Sequence, residues 1–300
     1  MSLPLPPGVR LPARHVWLNG RLVRGEDAVL SVFDRGARDG GAIFETLRVY
    51  DGQPFAWERH MERLVLSAAE LGFPVPPAPA RLRDAIDEVL AAGGLRDAVV
   101  RITVTRGIPG GRPVRTGAWV DAEALSGRLW PGTRTVHADD GGPAGAHLIP
   151  SQTPFAAGWI TRHKTTSRLA YDLAREEARA ANVDEALLVT RAGQVLEGAA
   201  SNLFAVLAEG ELVTPPLAAD VLPGVTRAIV LSLCGPLGIT AREGELTLES
   251  LRAAREVFLT NSVQQVLPVS SIGAHRVPGR ATALRLLAAY RETVAAATRV

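Results

Sequence analysis

Apolar positions along this chain switch repeatedly between a period of two and a period near 3.6, the mark of strands and helices in alternation. His15-Val16-Trp17-Leu18, then Asn19-Gly20, then Arg21-Leu22-Val23 predicts a hairpin, because Asn-Gly favours a tight primed turn. A second hairpin is predicted where residues 43–50 meet Pro54-Phe55-Ala56-Trp57 across Asp51-Gly52. Met61, Leu64, Val65, Ala68 and Leu71 recur at helical spacing and predict a helix over 58–71, stopped by Gly72. Residues 80–92 predict another, ended by Gly93-Gly94. Residues 99–105 read as an apolar strand running into the loop 106–112, and 133–137 as one more strand.

The run Asp139-Asp140-Gly141-Gly142-Pro143-Ala144-Gly145 is polar and full of breakers, so it marks the expected joint. This sets a smaller N-terminal α/β domain over 1–139, a linker at 140–145 and a larger C-terminal domain over 146–300. Beyond the joint the pattern predicts a strand over 146–153, a helix over 167–181 and paired strands 185–190 and 194–207 around Ala192-Gly193. A helix over 226–235, a strand over 256–260 and a closing helix over 278–298 follow. The fold class is therefore mixed α and β in two domains.

Composition narrows what such a protein does. With 47% hydrophobic and 21% charged residues the chain can bury large cores and is not a disordered one. Its 33 basic residues nearly balance 31 acidic ones, no basic run is long enough to track a phosphate backbone, and aromatics are scarce; no nucleic-acid partner is expected. Residues 1–14 lack the apolar core of a signal peptide, and no apolar run approaches the roughly 20 residues that span a membrane, so a cytoplasmic location without membrane contact is expected. The lone Cys234 allows no intramolecular disulfide and sits in an apolar helical context. The six histidines show no metal-ligand spacing, so no metal is expected and His60 and His163 read as structural.

Two segments of the second half carry chemistry. The first is His163-Lys164-Thr165-Thr166-Ser167-Arg168-Leu169, and the second is Val195-Leu196-Glu197-Gly198-Ala199-Ala200-Ser201-Asn202-Leu203-Phe204. A lysine opening such a unit and a glutamate beyond its hairpin are what a pyridoxal 5′-phosphate enzyme needs. The amine can hold the cofactor aldehyde as a Schiff base, and the carboxylate can keep the pyridine nitrogen protonated.

At these residues the chain resembles the fold-type IV pyridoxal phosphate enzymes, or class IV aminotransferases. That family includes branched-chain and D-amino-acid aminotransferases, (R)-selective amine transaminases and aminodeoxychorismate lyase. The likeness runs from Trp17 to about Gly273 through motifs in the expected order. Asp34-Arg35-Gly36 and Ile43-Phe44-Glu45-Thr46-Leu47-Arg48 look like the family's strand at the substrate pocket. His60-Met61-Glu62-Arg63-Leu64 is similar to the pattern whose arginine binds the cofactor phosphate. Leu222-Pro223-Gly224-Val225-Thr226-Arg227 is a glycine turn opening a helix, a phosphate cradle on general grounds as well. Leu259-Thr260-Asn261-Ser262 sits where relatives supply a hydroxyl and backbone amides to that phosphate, and those relatives hold the cofactor between two domains.

Carried over residue by residue, the resemblance implies Lys164 as catalytic base and acid, with Arg63, Glu197, Gly224, Val225, Thr226, Asn261 and Ser262 as cofactor-binding residues. Thr226 could be only a helix cap, a reading compatible with phosphate binding because both exploit the same helix start, and Ser262 could simply close a turn. Phe44, Thr46 and Arg48 alternate on one strand face and are candidate substrate residues, as is Arg112, which could grip a carboxylate bidentately or be a solvated loop residue. Asp39-Gly40-Gly41-Ala42 departs from the family's aromatic-Gly-Asp-Gly, which leaves substrate identity open. Leu169 stands where branched-chain enzymes usually carry tyrosine, which argues against that subclass, and the loop 106–113 lacks the Arg/His pair of D-alanine enzymes. The activity implied is amino transfer between an amino acid or amine, of either hand, and a 2-keto acid. Expulsion of pyruvate from aminodeoxychorismate is the near alternative, since Phe44-Glu45-Thr46-Leu47-Arg48 and Thr260-Asn261-Ser262 look rather like the lyase; a non-catalytic protein keeping the fold is the distant one. A homodimer is also implied.

Overall fold

The computed structural model describes residues 15–74, 76–110, 116–125 and 145–298. The strand expected over 133–137, the linker at 140–145 apart from Gly145, and Arg112 lie outside the described residues. Those described fall into two compact units. One holds the residues before 126 together with His163–Ser167; the other holds 145–162 and 168–298. The segment carrying Lys164 thus packs with the first unit although it follows most of it by a long stretch of chain.

The first unit contains β1 (His15–Leu18), β2 (Arg21–Arg24), α1 (Arg35–Asp39), β3 (Ala42–Tyr50), β4 (Gln53–Pro54), α2 (Trp57–Glu70), α3 (Pro79–Gly93), β5 (Ala98–Thr105) and β6 (Ala118–Ala124). Its sheet runs β2-β1-β6-β5-β3-β4, antiparallel throughout. The 3.6 period of α3 brings Leu82, Ile86, Val89 and Leu90 onto one buried face. Together with Met61, Leu64 and Ala68 of α2 they cover Ile43, Leu47, Val49, Val100, Ile102 and Val104 of the sheet. Each large aliphatic side chain so buried contributes about 1.5–3 kcal/mol. The expected hairpins form, and α2 and α3 match their predicted helices to within a residue or two. Val65, however, is 45% exposed and does not belong to the buried stripe of α2, which narrows to Met61, Leu64 and Ala68.

The second unit contains β7 (Ala146–Pro150), α4 (Leu169–Ala180), β8 (Glu185–Val189), β9 (Val195–Gly198), β10 (Asn202–Val206), β11 (Leu212–Thr214), α5 (Val225–Cys234), β12 (Ala241–Glu243), α6 (Leu248–Ala253), β13 (Glu256–Asn261), β14 (Gln265–Ile272), β15 (His275–Arg276) and α7 (Ala281–Thr298). The sheet order is β12-β11-β10-β13-β14-β7-β8-β9, and β9 pairs back to β10 at Asn202↔Glu197, so the ladder closes on itself. Leu203, Ala205, Val257 and Leu259 face one core, while Phe204 and Phe258 stack at 4.9 Å in another, beneath α5 and α7. Strands buried on both faces read as continuous apolar runs, which is why alternation is absent there. Glu256 starts α7: its carboxylate accepts the Thr282 and Ala283 N–H groups at 2.9 and 3.1 Å, where a helix N-terminus favours an anion.

Three departures from the sequence pattern matter. The run 194–207 is not one strand but β9 and β10, separated by Ala199–Ala200–Ser201. The strand β14 was invisible to propensity because Pro268 interrupts it, and an internal strand normally excludes proline. Asp34-Arg35-Gly36 opens a helix instead of a strand: Asp34 caps α1 by accepting the Gly36 N–H at 2.7 Å.

The Asp34 cap is buried and is held by Thr105, whose Oγ1 donates to Asp34 Oδ2 at 2.8 Å and accepts the N–H groups of Gly107 and Gly117 at 3.0 and 3.1 Å. Thr105→Val removes one donor to a buried carboxylate and the acceptor of two N–H groups. We expect a loss of about 3 kcal/mol in denaturant unfolding, most of it recovered by Thr105→Ser.

Candidate active site

Lys164 is placed by backbone pairing. The Phe44 N–H donates to the Lys164 carbonyl at 2.8 Å, the Thr166 N–H donates to the Ala42 carbonyl at 2.8 Å, and Ile43 bridges Thr165 in antiparallel sense. The lysine segment therefore extends the edge of β3, opposite β5 and ahead of β4. The hydroxyls of Thr166 and Ser167 both donate to the Gly40 carbonyl, each at 3.0 Å. At the other end, buried His163 meets Ser67 Oγ of α2 through Nδ1 at 3.1 Å and Glu70 through Nε2 at 3.3 Å, a structural role as expected from the sequence.

In this register Lys164 lies opposite Phe44, and its Nζ stands 4.7 Å from the centre of the Phe44 ring. The Arg101 guanidinium is 3.7 Å from the same ring centre. Phe44, Thr46 and Arg48 share this face of β3 as their alternation predicts; Phe44 is buried, whereas Thr46 and Arg48 are half-buried. Arg101 pairs Thr46 across the sheet and Asp121 on its other side. Burial pushes the Asp121 carboxyl up to about 6, against the Arg101 charge and a hydrogen bond from Trp119. Nothing in the sequence distinguished Arg101 from an ordinary strand residue; its place on the Phe44 face follows only from strand pairing.

Arg63 does not stand alone on its helix. Its Nε and Nη2 donate to the two oxygens of Glu45 at 2.8 and 2.7 Å, a bidentate pair, while His60 Nδ1 meets Glu45 Oε2 at 2.7 Å. Glu45 was hidden because it points to the opposite face of β3 from Phe44, among core residues, where an acid is unusual. Burial pushes its carboxyl up, but Arg63 and then His60 reverse this and hold it at about 2. Burial pushes His60 down, against Glu45, with the charges of Arg63 and Lys164 adding to the depression. His60 is thus neutral, and Nδ1–H is the donor to Glu45.

In the second unit Glu197 is buried, and its Oε2 accepts from Asn202 Nδ2 at 3.1 Å and from the Leu222 N–H at 3.2 Å. Asn202 Nδ2 also donates to the Leu222 carbonyl at 2.9 Å. Tyr171 of α4 was not anticipated; it lies on the helix face shared with Ala174 and Ala178, and its hydroxyl pKa is pushed up by burial and by the nearby Glu197 charge. Gly224 is the N-cap of α5 and must be glycine, since a Cβ there would fall 1.9 Å from Asn202 Oδ1.

Val225 and Thr226 are the first two residues of α5, and Thr226 does not cap it. Its Oγ1 is buried with no hydrogen-bond partner, as is Oγ1 of Thr260, the residue paired with Asn202 in β13. Asn261 uses its side chain to accept the Val263 and Gln264 N–H groups at 3.0 and 2.8 Å, so it closes the turn that contains half-buried Ser262.

These residues fit pyridoxal phosphate. Two buried hydroxyls lack partners, and a ten-residue helix presents its N-terminal N–H groups beside one of them, which suits a phosphate. A buried, doubly hydrogen-bonded carboxylate suits a pyridinium, and an amine suits an aldehyde.

The family model for amino-transferase class IV matches residues 42–272, and the chain belongs to that family. It is accordingly a pyridoxal-phosphate-dependent aminotransferase of fold type IV. It is 30% identical to the D-alanine aminotransferase of Listeria monocytogenes over 268 residues, covering 87% of this chain and 89% of the relative. It is 31% identical over 283 residues to the branched-chain-amino-acid aminotransferase of Salmonella typhimurium, covering 88% and 87%. Among solved structures, the T.th. branched-chain aminotransferase with pyridoxamine 5′-phosphate superposes with a TM-score of 0.82 at 30% identity over 95% of each chain. The Escherichia coli branched-chain enzyme gives 0.81 at 30% identity over 93% of this chain and 94% of that one. The likeness extends to branched-chain enzymes although Leu169, 72% exposed at the start of α4, stands where their tyrosine was expected. These relatives favour amino transfer over the lyase reaction.

The Glu45 carboxyl yields a signed pH dependence. Its folded value of about 2 lies below its ordinary 4.5, so its contribution is complete above pH 4.5 and is lost as pH falls from there to about 2. Glu45→Gln should cost about 3 kcal/mol at neutral pH, with the gap to the native protein closing across that acid window in pH-dependent denaturant unfolding.

Proposed function

We propose that this aminotransferase exchanges an amino group between an amino acid or amine and a 2-keto acid, with Lys164 as its catalytic amine. The observation that carries this reading is the pairing of the lysine segment along β3, which sets the Lys164 amine against the Phe44 ring on the face bearing Thr46 and Arg48. Pyridoxal phosphate, when bound, supplies an aldehyde that accepts the amino group and a pyridinium that withdraws electrons from the substrate α-carbon. Lys164 Nζ would be the base that takes the proton from that carbon and the acid that gives it back. Glu197 holds the proton on the pyridine nitrogen. Thr226, the N–H groups at Gly224 and Val225, and Ser262 bind the phosphate, and Arg63, already oriented by Glu45, adds its charge there. Asn261 contributes by shaping the turn that presents Ser262.

Phe44, Thr46 and Arg48 border the substrate in this reading. The family resemblance further supports a homodimer working in the cytoplasm. Among the described residues no helix is long and apolar enough to cross a membrane.

The test is the visible spectrum of the holoenzyme mixed with single L- and D-amino acids and (R)-amines. One donor should convert the visible band to a near-ultraviolet band, and a 2-keto acid should reverse it. Lys164→Ala should slow this conversion by about a thousandfold or more, the scale of a lost acid–base group. Pyruvate released from aminodeoxychorismate with no keto acid present would instead identify the lyase reaction.

A further inference from the structure

We propose that Arg168 and Glu185 are positioning residues for Glu197, acting through the single peptide group that joins Ala199 to Ala200. This rests on the reading of Glu197 as partner of the pyridine nitrogen. Arg168 Nη2 donates to the Ala199 carbonyl at 2.7 Å, and Glu185 Oε1 accepts the Ala200 N–H. That carbonyl and that N–H are the two poles of one peptide dipole. A cation grips the negative pole and a carboxyl group the positive one, so rotation of the peptide plane breaks both contacts together.

The clamp is itself braced. Glu185 Oε2 accepts from Ser201 Oγ at 2.9 Å, and Ala199 N–H donates to the Ala186 carbonyl next to Glu185 at 3.0 Å. Arg168 lies 3.9 Å from the ring centre of Tyr171, whose other neighbour is Phe155, edge-on at 4.9 Å. Gly198 leaves the necessary room: a Cβ there would fall 2.9 Å from the Glu185 carboxyl carbon and 2.4 Å from Ser201 Oγ. Burial pushes the Glu185 carboxyl up, against the Ala200 and Ser201 hydrogen bonds and the charges of Arg175 and Arg168. A buried acid that closes no direct ion pair among the described residues, yet spends both oxygens on one turn, is costly as mere packing.

The turn so gripped joins the two residues that matter. Glu197 lies two positions before Ala199 and Asn202 two after Ala200, and the two are paired with each other, the Asn202 amide on the Glu197 carboxylate. Moving the peptide would shift that carboxylate relative to its donors.

The experiment loads the native holoenzyme, R168M, R168K, E185Q and E197Q with pyridoxal phosphate labelled with 15N in the ring. The ring 15N shift, the cofactor dissociation constant from absorbance titration, and the melting temperature are then measured. E197Q should move the ring nitrogen to its unprotonated shift. R168M and E185Q should move it part of the way and weaken cofactor binding by about tenfold, as loss of one charge-assisted hydrogen bond implies, with R168K in between. Arg168 is half-buried, so R168M carries the test should E185Q fail to fold. A native ring shift and native affinity in R168M, while E197Q loses both, would overturn the inference and leave the role of Glu197 standing. A native shift in E197Q itself would remove that role and the inference with it.

Discussion

The placement of Lys164 depends first on an edge of β3. One edge of that strand is taken by β5 along its whole length, while the other is shared between β4 at Val49–Tyr50 and the lysine segment at Ala42–Phe44. Because side chains alternate along a strand, this register decides which face the Lys164 amine shares. A slip of one residue would turn it from the side of Phe44 to the side of Glu45 and the helices. The fixed register is reinforced from outside the ladder, by two hydroxyls on the Gly40 carbonyl and by His163 on α2. Loop residues so heavily tied have little conformational freedom left to lose.

Three acids, two of them buried and Asp121 half-buried, show how one fold assigns different charge states. Glu45 has a guanidinium and an imidazole N–H on its oxygens and stays ionised down to about pH 2. Glu185 has one backbone N–H and one hydroxyl, with its guanidiniums further off, and burial wins. Asp121 has Arg101 across the ladder and titrates near 6. A charged donor in direct contact, not depth of burial alone, separates Glu45 from the other two. Arg63 is therefore a cation already oriented and neutralised in part.

Much of this was legible in the sequence, for reasons that can be stated. The Phe44-Thr46-Arg48 face follows from a period of two, the helices α2 and α3 from a period of 3.6, and the start of α5 from glycine before a helix. What stayed hidden depends on pairing across distance. Glu45 and Arg63 are 18 residues apart and meet only because α2 packs on β3. Lys164 joins the first unit through a strand edge that no local pattern announces. Val65 had the right spacing and the wrong face, and β14 carries a proline that local propensity reads as a stop. Thr226 does not cap α5, since a cap would have used the hydroxyl that stands without a partner.

The position of Glu197 carries this reasoning one step further. Among the described strands the larger ladder closes on itself through the pair Asn202↔Glu197. The pair joins β9, the last strand of the order, to β10, where Asn202 also pairs Thr260 of β13, so its backbone is constrained from two sides. A carboxylate there would be a poor choice for stability alone, since it must be desolvated. The fold meets that cost locally. The Asn202 amide serves both Glu197 and the Leu222 carbonyl, the Leu222 N–H serves Glu197, and Gly224 surrenders its side chain so that Asn202 fits. The same asparagine thus links the acid to the start of α5. Displacing Asn202 would disturb the Glu197 carboxylate and the start of α5 together, because one side chain packs against both.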